Sequence, residues 1–160
     1  MAKLHDLDRN EVKAAYRQLL VVAEARYQFA GAVEGIRRHN PDDQAEWLHS
    51  YMSKRDSAEH SFDEDDVRRT LLLLDNSDVW KLFVDFNNAY RQYIERTTEV
   101  VTEAQIPLAP STVRIKNIDL LLADRNDLSA DPDPDTRRAY QAVDRALTNL
   151  TDAMSKRIQQ

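Results

Sequence analysis

One short stretch of this chain combines side chains whose types and spacing suggest acid–base and phosphate chemistry. It runs Arg55-Asp56-Ser57-Ala58-Glu59-His60-Ser61-Phe62, with an arginine five residues before a histidine and an aromatic residue two positions after it. Histidine exchanges a proton near neutral pH, and arginine forms paired hydrogen bonds with phosphate or carboxylate oxygens. Residues 55–62 are therefore the leading candidate for a functional site.

This stretch resembles the RNase motif of the HEPN superfamily, R-(N/D/H)-x-x-x-H, in which an aromatic residue commonly follows the histidine. Members of that superfamily are small helical bundles, often dimeric, and many are metal-independent endoribonucleases of toxin–antitoxin and phage-defence systems. The resemblance implies that His60 handles the proton of a ribose 2′-hydroxyl or leaving group, that Arg55 stabilises charge on the scissile phosphate, and that Asp56 orients the arginine. It also implies that both subunits of a dimer contribute to one composite site.

Other kinds of reactive site find less support in the sequence. Glu46 and His49 have the E-x-x-H spacing of carboxylate-bridged di-iron bundles, but such sites need two E-x-x-H helices, and the chain has no second one. The chain has no cysteine, which excludes thiol nucleophiles, disulfides and zinc–thiolate sites. No G-x-S-x-G elbow marks a nucleophilic serine. We therefore expect no metal site and no cofactor.

The composition favours an all-α protein. The chain has 160 residues, enough for one domain, and 42% of them are hydrophobic while just two are glycine. Few glycines allow few tight hairpin turns, which disfavours all-β folds and glycine-rich phosphate loops. No apolar run approaches the length of a membrane span, and the charged first residues lack the apolar stretch of a signal peptide. We expect a single cytoplasmic helical domain over residues 1–160, without membrane contact.

Hydrophobic residues recur at helical spacing over most of the chain. The predicted helices cover about residues 9–38, 42–54, 64–75, 78–105 and 134–158, with an ambiguous stretch at 111–124 that we assign to a helix. We expect a loop at 55–62, although a continued helix would also fit, and an acidic, proline-containing linker at 126–135. The expected fold is an antiparallel bundle of four main helices plus one or two short helices.

Four residues are candidates for contacts between helices or between chains. Gly31 and Gly35 lie inside the first predicted helix, where each costs about 1 kcal/mol relative to alanine. A close approach of another helix would justify that cost. Leu72 and Leu73 extend the apolar surface of the third predicted helix beyond its inward stripe. Such surplus apolar surface is typical of a protein that buries area against a second chain.

The net charge of −6 is distributed unevenly along the chain. Residues 56–66 hold six acids and residues 127–135 hold four, with no Lys or Arg in either stretch. Removing these ten from the 28 acids leaves 18 against 22 basic residues, so the rest of the chain carries about +4. Three arginine pairs, at 37–38, 68–69 and 137–138, have acids one helical turn away, which predicts surface ion pairs. This pattern favours a protein partner over duplex DNA.

The sequence favours a non-enzymatic helical bundle that acts through protein–protein contacts, as a homo-oligomer or as a subunit of a larger assembly. This hypothesis depends on the incomplete catalytic set, the surplus apolar positions and the two acidic stretches. The acidic stretches would suit a basic surface of a nucleic-acid-processing partner, so an adaptor or inhibitor of such an enzyme is one form of this function. The alternative is an HEPN-like metal-independent endoribonuclease or RNA-binding protein, with RNA as its partner.

Overall fold

The computed structural model describes residues 2–38, 44–75, 77–98 and 133–159. The helices are α1 (Ala2–Arg38), α2 (Gln44–His60), α3 (Glu64–Leu74), α4 (Val79–Arg96) and α5 (Pro134–Gln159). The predicted all-α fold class is confirmed, and these residues contain no strand. The helix predicted at 111–124 and most of the linker predicted at 126–135 lie outside the described residues.

α1 is the helix on which the others assemble. Its 37 residues rise about 55 Å, and it contacts each of the other four helices. α2 runs antiparallel to its C-terminal half, since Arg26 bonds to Glu59 near the end of α2 while Gly35 faces Trp47 near its beginning. α3 also lies against α1. α1 therefore positions α2, which contains most of the predicted motif, and α3, which follows it.

α4 and α5 form the other side of the bundle. They are antiparallel, because Arg96 at the end of α4 lies 3.6 Å from Asp133 just before α5. Further along the pair, the rings of Tyr93 and Tyr140 are 5.5 Å apart. Tyr27 of α1 stacks on the same Tyr140 at 6.0 Å. The four main helices of the predicted bundle correspond to α1, α2, α4 and α5, with α3 as the short one.

The core is a set of apolar side chains drawn from all five helices. The contribution of α4 is a row of fully buried residues, Val79, Phe83, Phe86 and Tyr93. Their successive spacings of four, three and seven positions place them on one side of the helix. Phe62, between α2 and α3, packs edge-on against Phe83 with ring centres 5.8 Å apart. The aromatic residue that follows the predicted motif is therefore a packing residue.

The loop predicted at 55–62 is wrong for most of that stretch, because α2 continues through His60. Two side chains of the stretch contact α1, since Arg55 lies over the ring of Phe29 and Glu59 bonds to Arg26. These contacts stabilise the helical backbone where the local apolar pattern is weak. Tertiary packing commonly overrides such weak local preferences.

α4 ends at Arg96, short of the predicted end near residue 105. The hydroxyl of Thr97 donates to the carbonyl of Tyr93 at 2.9 Å, and that of Thr98 donates to the carbonyl of Ile94 at 3.0 Å. These side chains compete with backbone amides for the helix carbonyls, and the backbone turns at Thr97. Residues 99–105 lie outside the described residues.

A buried carboxylate joins three parts of the bundle. Asp75 directly follows α3, and its side chain is 2% exposed. It accepts hydrogen bonds from the hydroxyl of Tyr16 on α1 at 2.6 Å and from the hydroxyl of Ser77 at 2.5 Å. The guanidinium of Arg157 on α5 donates to it at 3.0 Å. Because an unpaired buried charge costs several kcal/mol, this network fixes how α1, α3 and α5 meet.

A second buried carboxylate lies towards the other end of α1. Glu34 is 6% exposed and accepts a hydrogen bond from the hydroxyl of Tyr93 on α4 at 3.1 Å. Arg37, one turn later, donates to it at 2.5 and 3.0 Å. Burial and the neighbouring Glu34 carboxylate raise the pKa of Tyr93. Its hydroxyl therefore remains a hydrogen-bond donor at physiological pH.

Both glycines of α1 face helices of their own chain, and alanine substitutions at them should have opposite effects on stability. A Cβ at Gly31 would lie 3.4 Å from the Tyr140 hydroxyl, so Gly31→Ala should gain up to about 1 kcal/mol of helix propensity. A Cβ at Gly35 would lie 2.7 Å from Cη2 of Trp47, so Gly35→Ala should lower the free energy of unfolding by about 1 kcal/mol or more. Urea denaturation followed by circular dichroism measures both, and equal effects would contradict this prediction.

Alkaline pH should weaken the bundle through Tyr16. Burial, together with the hydrogen bond to Asp75, raises the pKa of Tyr16 from 10.0 to about 12. The folded state therefore holds this proton more tightly than the unfolded state. The resulting stabilisation is complete below about pH 10 and is lost as the pH rises through about 12. Unfolding free energies measured from about pH 8 to about pH 11 should fall less steeply for Tyr16→Phe than for the wild type.

A matched control removes the hydroxyl of another tyrosine. Tyr51 is half-buried and packs edge-on against Trp47, and Tyr51→Phe is measured beside Tyr16→Phe to account for the general effect of losing one hydroxyl. If the unfolding free energy of Tyr16→Phe falls with pH as steeply as that of the wild type, the Tyr16 proton does not contribute to the loss of stability at alkaline pH.

Candidate functional site

Arg55 lies within α2 and points into the bundle. Its guanidinium carbon is 4.3 Å from the centre of the Phe29 ring on α1, and Nη1 donates to the hydroxyl of Tyr90 on α4 at 3.3 Å. Nε and Nη2 donate to Oδ1 of Asp56 at 3.2 and 3.0 Å. The arginine side chain is 19% exposed. A cation is thus held where α1, α2 and α4 meet.

The protonation states at this junction suit binding better than proton transfer. Burial by itself would lower the pKa of Arg55, but the hydrogen bond to Tyr90, together with the Asp56 carboxylate, raises it above its ordinary value. Burial raises the pKa of Tyr90, and the neighbouring Arg55 offsets this in part. Arg55 remains a cation and Tyr90 a neutral hydroxyl at physiological pH. A general acid or base needs a pKa close to the working pH.

A second guanidinium, that of Arg26, lies beside Arg55 in a pocket between the helices. Arg26 of α1 donates from Nε to Glu59 at 3.0 Å and from Nη1 to Asn87 at 2.6 Å. Its guanidinium carbon lies 6.0 Å from the centre of the Tyr90 ring. The pocket, which we call the arginine pocket, has a volume of about 360 Å³ and is lined by Arg26, Arg55, Glu59, Glu64, Asn87, Tyr90, Arg91, Ile94 and Glu95. Its three arginines and three glutamates balance in formal charge.

His60 does not line the arginine pocket. It is the last residue of α2 and is exposed. Side chains five residues apart on a helix point about 140° away from each other, so Arg55 and His60 occupy different faces of α2. Of the three residues predicted to form a catalytic site, the structure brings Arg55 and Asp56 together and leaves His60 apart.

Sequence reasoning did not find most of the arginine pocket, including the bonded residues Arg26, Asn87 and Tyr90. Asn87 and Tyr90 lie one turn apart on α4. The polar Asn87 beside the buried row of that helix was the available signal. Arg26 bonds to residues 33 and 61 positions away in the sequence. No local pattern indicates contacts at such separations.

The predicted ion pairing of the double arginines is confirmed for one member of each pair. The bonds join Arg37 to Glu34, Arg68 to Asp65 and Arg138 to Asp135, each three residues apart on a helix. The second and third pairs are exposed, and ion pairs of that kind contribute little to stability.

Glu46 and His49, which have the spacing of a di-iron ligand pair, are both exposed on α2. In the described part of the chain, no three His, Cys, Asp or Glu side chains form a group that could hold a metal ion. None of the helices described above combines the length and the apolar character needed to cross a bilayer.

Two adjacent leucines of α3 are largely outside the core. Leu72 is 64% exposed and Leu73 is 75% exposed, whereas Leu71 beside them is 2% exposed. Consecutive residues of a helix point about 100° apart, so an inward-facing Leu71 turns both following residues outward. We call Leu72 and Leu73 the leucine patch.

Comparisons with known proteins assign no family to the chain. No protein family, curated protein or solved structure matches it. Function is therefore inferred from the arginine pocket and the leucine patch.

Proposed function

We propose that this protein is a non-catalytic helical subunit that acts through contacts with other protein chains, including a second copy of itself. The observation that carries the proposal is the leucine patch, whose two side chains are 64% and 75% exposed. Burying a leucine stabilises an association by about 1.5–3 kcal/mol. The patch can therefore supply a large share of the binding free energy of an interface.

α3 does not need the leucine patch for its own packing against the bundle. Val67 and Leu71 of this helix are 1% and 2% exposed and already fill its inward face. On the turns before the patch, Asp65 and Arg68 form an exposed ion pair at 3.9 Å. An apolar centre with charged residues around it is typical of protein–protein interfaces.

The composition of the arginine pocket also supports a non-catalytic role. Arg26 is already bonded to Glu59 and Asn87, and Arg55 is bonded to Asp56 and Tyr90. The residues that line the pocket include no histidine, serine, threonine or lysine. Mutually bonded charges of this kind stabilise the packing of the helices that carry them.

An adaptor or inhibitor of a nucleic-acid-processing enzyme is a specific form of this proposal. Four consecutive acids, Asp63–Asp66, are exposed at the start of α3, shortly before the leucine patch. An acidic surface complements the basic groove of such an enzyme and would compete there with phosphate groups.

Replacing the leucine patch should weaken self-association without loss of the fold. We expect Leu72→Ser/Leu73→Ser to raise the concentration at which the protein associates by about tenfold or more, because each lost leucine removes about 1.5–3 kcal/mol of burial. Size-exclusion chromatography with light scattering over a concentration series measures the mass. Circular dichroism at low concentration should give unchanged helix content.

Val21→Ser provides the control, since Val21 is 58% exposed but lies on α1. This variant should associate like the wild type. A monomeric wild type at all accessible concentrations, or an unchanged mass for Leu72→Ser/Leu73→Ser, would contradict self-association through the leucine patch.

An HEPN-like metal-independent endoribonuclease, or an RNA-binding protein, is the second candidate. The two guanidiniums of the arginine pocket, from Arg26 and Arg55, favour it because arginine binds phosphate oxygens. His60 lies on another face of α2, so this function would require His60 of a second chain to approach Arg55.

Incubation of the purified full chain with bulk RNA in EDTA separates the two candidates. We expect no cleavage by the wild type, because no histidine lines the arginine pocket to exchange a proton near neutral pH. His49→Ala is the control for histidine loss, since His49 is exposed on the same helix. Cleavage by the wild type and by His49→Ala, but not by Arg55→Ala/His60→Ala, would contradict the first proposal and support the ribonuclease.

A further inference from the structure

An apolar groove between α1 and α5 is a second surface, and the proposed function does not use it. The groove has a volume of about 350 Å³. Its floor is formed by Tyr16 and Leu20 of α1 with Met154 and Ile158 of α5. The hydroxyl of Tyr16 is bonded to Asp75. Ile158 remains 43% exposed, so apolar surface at the groove is open to solvent.

α1 carries a row of three cations, of which two line this groove. Arg9, Lys13 and Arg17 are four residues apart and share one face of the helix, and Lys13 and Arg17 line the groove. None of the three forms an ion pair with another described residue. No acid lies three or four positions to either side of Lys13 or Arg17.

This cation row is unfavourable for the isolated helix. Like charges four residues apart destabilise a helix by a few tenths of a kcal/mol per pair. Within the described part of the bundle, no ion pair offsets that cost. A negatively charged partner lying along α1 would offset it.

We propose that the groove binds an amphipathic helix of a partner protein, with apolar side chains in the groove and a row of acidic side chains against Arg9, Lys13 and Arg17. At 1.5 Å per residue, the cation row spans about 12 Å, which corresponds to two to three turns of a docked helix. Apolar anchors at i, i+3 or i+4, and i+7 are the usual means of binding in such grooves. The proposal concerns a different surface from the leucine patch and holds whether or not that patch mediates self-association.

Shape and charge favour this occupant over two others. Binding to an anionic membrane requires apolar side chains that project outward into the lipid, whereas the apolar side chains here line a concave surface. A second copy of the chain would offer its leucine patch. Arg68 and Arg69 lie one turn before that patch and would face the cation row of α1, whereas the acids Asp63–Asp66 lie about two turns or more from the patch.

Two synthetic peptides with the same apolar stripe test the proposal. Each is a fluorescein-labelled helix of about 18 residues with leucines at i, i+4, i+7 and i+11. One peptide has glutamates along one flank of the stripe, and the other has lysines at the same positions. Fluorescence anisotropy follows binding to the full chain at low and at raised ionic strength. Leu72→Ser/Leu73→Ser is measured beside the wild type, so that failure of the proposed self-association is distinguished from failure of this proposal.

We expect the acidic peptide to bind about tenfold more tightly than the basic one, and salt to reduce this preference. Lys13→Glu/Arg17→Glu should reverse the preference, because the rim then carries negative charge. Ile158→Ser should weaken both peptides, because it removes part of the apolar floor. Lys54→Glu/Lys81→Glu is the control, since it reverses two exposed cations of α2 and α4 that line neither the groove nor the arginine pocket, and it should bind like the wild type.

Four results would overturn the proposal. Equal affinity of the wild type for both peptides, or no binding of either at about 1 mM, would show that the groove does not select an acidic helix. Binding to phosphatidylglycerol–phosphatidylcholine vesicles that depends on Lys13 and Arg17, without binding of the acidic peptide, would assign the groove to a membrane. A lower mass for Lys13→Glu/Arg17→Glu, at concentrations where the wild type associates, would assign the groove to a second copy.

Discussion

Two buried carboxylates hold the helices in register along α1. Asp75 accepts a hydrogen bond from the hydroxyl of Tyr16 on α1, and Glu34 of α1 accepts one from the hydroxyl of Tyr93 on α4. Tyr16 and Glu34 are 18 positions apart in the sequence, which places the two attachment points about 27 Å apart along the helix. A slide of one helix by a turn would leave a buried carboxylate without its partners, which costs several kcal/mol. Apolar packing by itself specifies register less strictly.

The same register decides which surfaces remain outside the core. α3 ends beside Asp75, so the carboxylate that fixes this end also sets the face on which Leu72 and Leu73 emerge. On α1, the residue that binds Asp75 through its hydroxyl also lines the apolar groove. The leucine patch and the apolar groove, to which we assign protein contacts, are therefore both positioned by the hydrogen-bond network of Asp75.

The helices could be predicted from the sequence because a core selects apolar residues at helical spacing. The buried row of α4 from Val79 to Tyr93 is an example. Prediction failed at 55–60, where contacts with a distant helix rather than a local pattern stabilise α2. The candidate site was predictable as far as Arg55 and Asp56, which are neighbours in the sequence. Tyr90, 35 positions from Arg55, joins it through folding. The loop predicted at 55–62 left the relative orientation of Arg55 and His60 open, whereas on the continuous helix α2 a spacing of five places His60 on another face.

The two tryptophans of the chain lie in different parts of the bundle. The indole of Trp47 packs against Gly35 where α2 meets α1, whereas that of Trp80 lies 5.4 Å from the ring of Phe83 on α4. Intrinsic fluorescence therefore comes from two separate environments. In a variant with Trp47 as its one tryptophan, fluorescence reports the detachment of α2 from α1. In a variant with Trp80 as its one tryptophan, it reports the opening of the aromatic core. The order in which these two regions separate during unfolding is thus accessible to an optical measurement without an added dye.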